Sequence, residues 1–241
     1  MKTSFGIRRG VDPEGIATSL SGLGQTPFEL ALPYRLDDFY RSMDGLEAVK
    51  DFILRQGLRP TSIHAAQGRL SDDRFLDWAR PTARFAKAMG VEAIVFHPEQ
   101  CPMAEKENLK IIAMNHLTIL QREERVTAVI ETFGHRKRLF SPETIRDLGL
   151  PMCLDVSHLF EARTMEIVES YWHGIAVVHL SEADKDGRPH GPAGRVCRRV
   201  LRRLKELGWS GTVILEYLPD YHAALMQDRE LLEKEWLNDE S

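Results

Sequence analysis

The chain has 241 residues, of which 43% are apolar and three are cysteines, and its formal net charge is −4. That length suits one α/β barrel, and the acidic balance excludes a global field that recruits polyanions. Cys101, Cys153 and Cys197 have no paired spacing, which argues against a disulfide framework or a CxxC metal site. No run reaches the roughly 18 apolar residues of a membrane span, and Met1 to Gly10 lacks a signal-peptide core, so a soluble, reducing, cytoplasmic setting is expected.

In chain order, Thr3 to Ile7 reads as a first short strand closed by a basic turn, Arg8-Arg9-Gly10. Val11 to Leu23 is a poor helix, with Asp12-Pro13-Glu14 as its expected start. Phe28 to Leu32 is a second strand. Asp37 to Gln56 has helical periodicity and stops at Gly57. Thr61 to Ala66 is a third strand. Ser71 to Met89 is helical, with Ser71 as N-cap and Gly90 as stop. Val91 to His97 is a fourth strand, and Ala104 to Glu124 a long amphipathic helix.

Val126 to Thr132 is the fifth strand, and Ser141-Pro142-Glu143 caps a short helix ending near Gly149. Pro151 to Val156 is the sixth strand, with Cys153 as a small core residue. Met165 to Trp172 is helical, Ile175 to Leu180 is the seventh strand, and Val196 to Leu207 is helical up to Gly208. Thr212 to Glu216 is the eighth strand and Tyr221 to Leu237 a closing helix. Eight strands alternating with helical segments predict a single α/β domain over residues 1–241, a (β/α)8 TIM barrel.

Six of the apolar runs end in a metal-ligand side chain: His64, His97, Glu131, Asp155, His179 and Glu216. In this architecture the active site is built at the C-terminal strand ends. Glu131, Asp155, His179 and Glu216 offer three carboxylates and one imidazole, a set suited to Mn²⁺, Mg²⁺, Co²⁺ or Zn²⁺. Without a cation, converging carboxylates repel. One such residue alone is more usually a salt-bridged rim residue; six in register are not. His64, His97 and His158 are candidates for a second metal or for hydrogen-bonding a substrate.

The motifs VIET, CLDVSH, VHLSEAD, HGPAG and ILEYLP, in that order, resemble the xylose-isomerase-like TIM-barrel superfamily. The resemblance spans Thr3 to about Pro219. Its sugar isomerase and epimerase branch implies one metal held by Glu131, Asp155, His179 and Glu216. Glu131 and Glu216 would be the catalytic carboxylates, moving a proton through a metal-stabilised enediolate, and His158 would bind a substrate oxygen. The apurinic endonuclease branch implies three zinc ions and a ligand set that adds His64, His97, His158 and His190. That branch also carries an aspartate two residues before the last histidine. Here the position is Arg188, with Asp186 two residues earlier, which puts the third metal in doubt.

The polar Gly/Pro loop Ser181 to Arg195 is of a length that is usually functional or mobile. Two basic stretches border the expected rim. His135 to Arg138 follows Glu131, and Arg136 and Arg138, with Arg195, are candidates for binding a substrate phosphate or carboxylate. Arg195 to Lys205 reads as a solvated helix face over a stripe of Val196, Val200, Leu201, Leu204 and Leu207. DNA binding wants a larger basic footprint. The leading expectation is therefore a metal-dependent isomerase or epimerase of a sugar or sugar phosphate, with manganese or zinc as cofactor. The alternatives are a zinc phosphodiesterase acting on nucleic acid and a non-catalytic ligand-binding barrel. The expected partner is a small molecule, with no membrane; the closing helix, with Trp236 and Leu237, packs either on its own barrel or on a second copy.

Overall fold

Short apolar runs separated by amphipathic stretches leave each segment with a face to bury, and the chain satisfies them by alternation. The computed structural model describes residues 3–10, 15–20, 22–134 and 137–238. Its strands are β1 (Ser4–Gly10), β2 (Phe28–Ala31), β3 (Pro60–His64), β4 (Ala93–Phe96), β5 (Thr127–Glu131), β6 (Met152–Asp155), β7 (Ile175–Leu180) and β8 (Thr212–Leu215). They form a closed barrel in sequential order, the (β/α)8 architecture. The helices between and after them are α1 (Ile16–Ser19), α2 (Leu36–Arg41), α3 (Met43–Gln56), α4 (Phe75–Ala88), α5 (Lys106–Glu124), α6 (Pro142–Asp147), α7 (Glu161–Tyr171), α8 (Arg195–Glu206) and α9 (His222–Asn238). None is long and apolar enough to cross a membrane, among the described residues.

By backbone packing the residues fall into two compact units: 1–8, 132–134 and 142–241 in the first, 9–131 and 135–141 in the second. In the first unit, β6 pairs with β7, β7 with β8 and β8 with β1, all parallel. The registers Asp155↔His179, His179↔Ile214 and Gly6↔Ile214 put these side chains on one face. Paired strands alternate in step, so Arg8 and Glu216, each two residues further on, project to that face as well. Outside the strands, Cys197, Val200, Leu201 and Leu204 form the buried stripe of α8. Val196 and Leu207, expected in that stripe, are only half-buried. Trp236 of α9 packs edge-on against Phe5 at 5.8 Å and Trp209 at 6.3 Å, so the closing helix docks on its own unit.

In the second unit, β2 to β5 pair in sequence and in parallel. Phe96↔Ile130 places His97 level with Glu131. A buried aromatic group, Phe75, Trp78 and Phe96, fills the space between α4 and β4. Gly57 and Gly90, at φ 62° and 73°, take the left-handed turn that ends α3 and follows α4, as their sequence positions predict.

Three local expectations are corrected. The basic turn at Arg8-Arg9-Gly10 is strand, since β1 runs on to Gly10. The helix expected over Asp37 to Gln56 breaks at Ser42, whose hydroxyl donates to the Phe39 carbonyl. Ser71 does not cap α4, which starts at Phe75; its amide and hydroxyl both donate to Glu99, at 3.0 and 2.5 Å. Asp12-Pro13-Glu14 lies outside the described residues.

Candidate metal centre

In the first unit, Asp155 ends β6, His179 is next to last in β7, and Glu216 directly follows β8. Asp155 and His179 are fully buried. Asp155 Oδ1 is anchored by its own turn, accepting from the Ser157 amide at 2.8 Å, the Ser157 hydroxyl at 2.7 Å and the His158 amide at 3.3 Å. The Asp155 amide donates to Thr132 Oγ1 at 3.0 Å. The other oxygen, Oδ2, lies 3.5 Å from His158 Nε2 and 4.0 Å from His179 Nδ1.

Glu216 repeats that division of labour. Oε1 accepts from Arg8 Nη1. Oε2 lies 2.9 Å from His179 Nδ1. Asp155 Oδ2 and Glu216 Oε2 are buried and accept no hydrogen bond among the described residues. A buried carboxylate oxygen in that condition costs about 1–3 kcal/mol unless something else satisfies it. Oxygens aimed at one imidazole, with their partner oxygens tied back, are what a divalent cation takes up.

His158 and His190 complete a second grouping in this unit. Their rings meet edge-on at 5.1 Å, and Phe133 stacks on His158 at 4.4 Å. Ligand atoms of Asp155, His158 and His190 lie within 4.8 Å of one another. Ser157 and Ser181 hydroxyls both sit 3.3 Å from His190 Nδ1. His190 adopts a left-handed backbone, φ 64°, which a non-glycine residue takes at a cost and often at a functional position.

The loop that carries His190 is clamped. Asp184 accepts from the Arg188 amide at 2.9 Å, from Arg188 Nε at 2.7 Å and from the Tyr221 hydroxyl at 3.1 Å. These donors, the Arg188 amide first, hold the Asp184 carboxyl down at about 2. Arg188 Nη1 also reaches Asp220 at 3.6 Å. Arg188 thus serves as a loop clip where the endonuclease branch carries an aspartate. Glu182 Oε1 accepts from the Gly194 and Cys197 amides, fixing the start of α8. Arg195 is mostly exposed and pairs with Glu161 at 2.7 Å.

In the second unit, His64, His97 and Glu131 come together. His97 Nε2 is 3.1 Å from His64 Nε2, and both imidazoles face Glu131 Oε2, His64 at 3.6 Å. Gln67 Nε2 lies 3.1 Å from His97 Nδ1, and Tyr34 meets the His97 ring edge-on at 6.3 Å. Arg138 Nη1 donates to the Pro98 carbonyl at 2.9 Å. Burial lowers the Arg138 guanidinium from its usual value, opposed by the nearby Tyr34 and Glu131. Arg136 lies outside the described residues.

Sequence reading missed Arg8, Ser157, Ser181 and Gln67, which hold the candidate ligands rather than serve as ligands. It also missed Glu29, a fully buried carboxylate on β2 that accepts from the Ser62 hydroxyl at 2.7 Å. The one usable signal was alternation: Arg8 lies two residues after the inward Gly6.

These features define a barrel with ligand-type side chains at the C-terminal ends of its strands. Residues 21–237 match the xylose isomerase-like TIM barrel family, and the chain belongs to it. No curated protein sequence matches the chain. Among solved structures it is similar to a D-tagatose 3-epimerase-like protein at 17% identity and TM-score 0.72, covering 98% of this chain and 97% of that one. It is also similar to 3-keto-D-glucoside 4-epimerase from E. coli, at 14% identity and TM-score 0.70, with 97% and 100% covered. Endonuclease IV from Thermus thermophilus matches at 18% identity and TM-score 0.65, with 96% and 99% covered. At these identities the likeness is one of fold.

Proposed function

We propose that this protein is a metal-dependent isomerase or epimerase of a sugar or sugar phosphate. The observation that carries the reading is the pair of buried, unsatisfied oxygens, Asp155 Oδ2 and Glu216 Oε2, set against His179 Nδ1. The donor set fits a divalent ion such as manganese or zinc, with Glu131, at the end of β5, as the fourth ligand. When bound, that cation supplies Lewis-acid polarisation of a carbonyl and its neighbouring hydroxyl.

The chain's own residues do the rest. Glu131 and Glu216 remove and return a proton at the carbon beside the carbonyl. Phe133, stacked on His158, keeps that imidazole turned toward Asp155, where it hydrogen-bonds a substrate oxygen. Arg138, half-buried beside Glu131, is suited to a substrate phosphate or carboxylate. The whole of residues 1–241 acts as one domain in this reading.

A zinc phosphodiesterase is the second reading, favoured by the clusters His64–His97–Glu131 and Asp155–His158–His190. Two observations weigh against it. Arg188 is committed to Asp184 and Asp220. Four of the five arginines of α8 are paired with carboxylates: Arg195 and Arg199 with Glu161, Arg198 with Glu235, and Arg203 with Glu169 and Glu206. The deciding experiment measures metals per chain, then turnover on ketoses and their phosphates beside abasic-site DNA. About one metal with sugar turnover supports the isomerase; two or three zinc ions with strand cleavage overturn it.

A further inference from the structure

Asp155 and Glu216 are built alike: in each, one oxygen is tied back and the other is buried with no hydrogen bond among the described residues. For Asp155 the tie is local, two residues along the chain. For Glu216 it is Arg8, 208 positions away. The parallel pairing Ile7↔Leu215 is the last of the β1–β8 ladder, and Arg8 and Glu216 are the residues that directly follow it on the two chains. Both side chains are mostly buried, at 19% and 13% exposure. A guanidinium at such a place is costly unless paired, so its partner is part of its reason for being there.

We infer that Arg8 is a positioning residue that holds Glu216 by Oε1 and thereby restricts it to one metal-facing oxygen. The inference rests on the functional reading above, in which Glu216 is a ligand. A carboxylate with both oxygens free can chelate, and so occupies a second coordination position. Held by Arg8, Glu216 offers Oε2 alone, and the position it leaves is available to a substrate oxygen. Hydrogen-bonded partners of ligating carboxylates orient and tune them in this way, and their loss commonly costs about 10–100-fold in metal affinity. A purely electrostatic role gives the opposite sign, because deleting a cation beside a cation site tightens binding.

The test is cobalt(II) titration of the full chain, followed by visible absorbance and by calorimetry, for wild type, Arg8→Met and Arg8→Lys. Arg8→Met is expected to bind about 10–100-fold more weakly and to show a severalfold weaker visible band, the mark of a higher coordination number. Arg8→Lys, which keeps the charge and a donor, is expected to recover most of both. Equal or tighter binding by Arg8→Met, with an unchanged band, overturns the inference. Should Arg8→Met not fold, Arg8→Gln, whose amide stops short of Oε1, is read in its place with the same two outcomes. A wild-type protein that takes up no cobalt defeats the metal reading itself, a failure distinct from a bound site indifferent to Arg8.

Discussion

Asp155 and His179 face each other across the β6–β7 register, with Oδ2 and Nδ1 4.0 Å apart and both side chains fully buried. That spacing is too long for a hydrogen bond and leaves room for an ion between them. A carboxylate is not left buried in that way for packing alone.

Removing either partner is therefore expected to empty the site. Asp155→Asn and His179→Ala should each lower metal content after dialysis to near zero while the far-ultraviolet circular dichroism stays native. Elemental analysis at defined protein concentration checks this. Retention of about one metal by both variants would move the site elsewhere.

Glu216→Gln keeps the shape of the side chain and removes its charge. On whichever ketose or ketose phosphate the wild type converts, turnover is expected to fall by about 10²–10⁴-fold, the usual worth of a positioned acid or base. Full turnover in the folded variant would remove Glu216 from the proton transfer.

The Asp184 clip makes stability depend on acid. Its carboxyl is held at about 2, below the ordinary 3.8, chiefly by the Arg188 amide and side chain. A depressed carboxylate stabilises the folded state above its unfolded value and loses that contribution as pH falls toward the folded one. Asp184→Asn should melt a few degrees below wild type at pH 7, and the two curves should converge between pH 4 and pH 2. Calorimetry over that range decides it; a gap independent of pH would assign the difference to packing.

Because Arg195, Arg198, Arg199 and Arg203 of α8 are paired with carboxylates, salt-sensitive affinity for nucleic acid is not expected. Fluorescence anisotropy with an abasic duplex at 50 and 200 mM salt should show no binding that falls steeply between them. A steep fall would revive the phosphodiesterase reading.

The alternation of apolar runs with amphipathic stretches was enough to read the barrel, because strand and helix periods are local. It was also enough to place His64, His97, Glu131, Asp155, His179 and Glu216 at or beside the ends of their strands, because each closes an apolar run. Element edges were less legible. Ser71 has the chemistry of a cap but binds Glu99, a partner 28 positions away. Loop Ser181 to Arg195 has the composition of a mobile segment, yet Arg188, Asp184 and Tyr221 lock it, with Tyr221 contributed from beyond β8.

Local sequence dictates the kind of group at each strand end and the period that places it there. Tertiary structure alone decided which oxygen of each carboxylate is spent. Asp155 spends Oδ1 on its own turn. Glu216 spends Oε1 on Arg8, an arginine that reads locally as part of a turn. The difference is physical: a period of two or 3.6 is written in neighbouring residues, whereas the charge that offsets Arg8 lies at the other end of the chain. Only closure of β1 against β8 brings the two together.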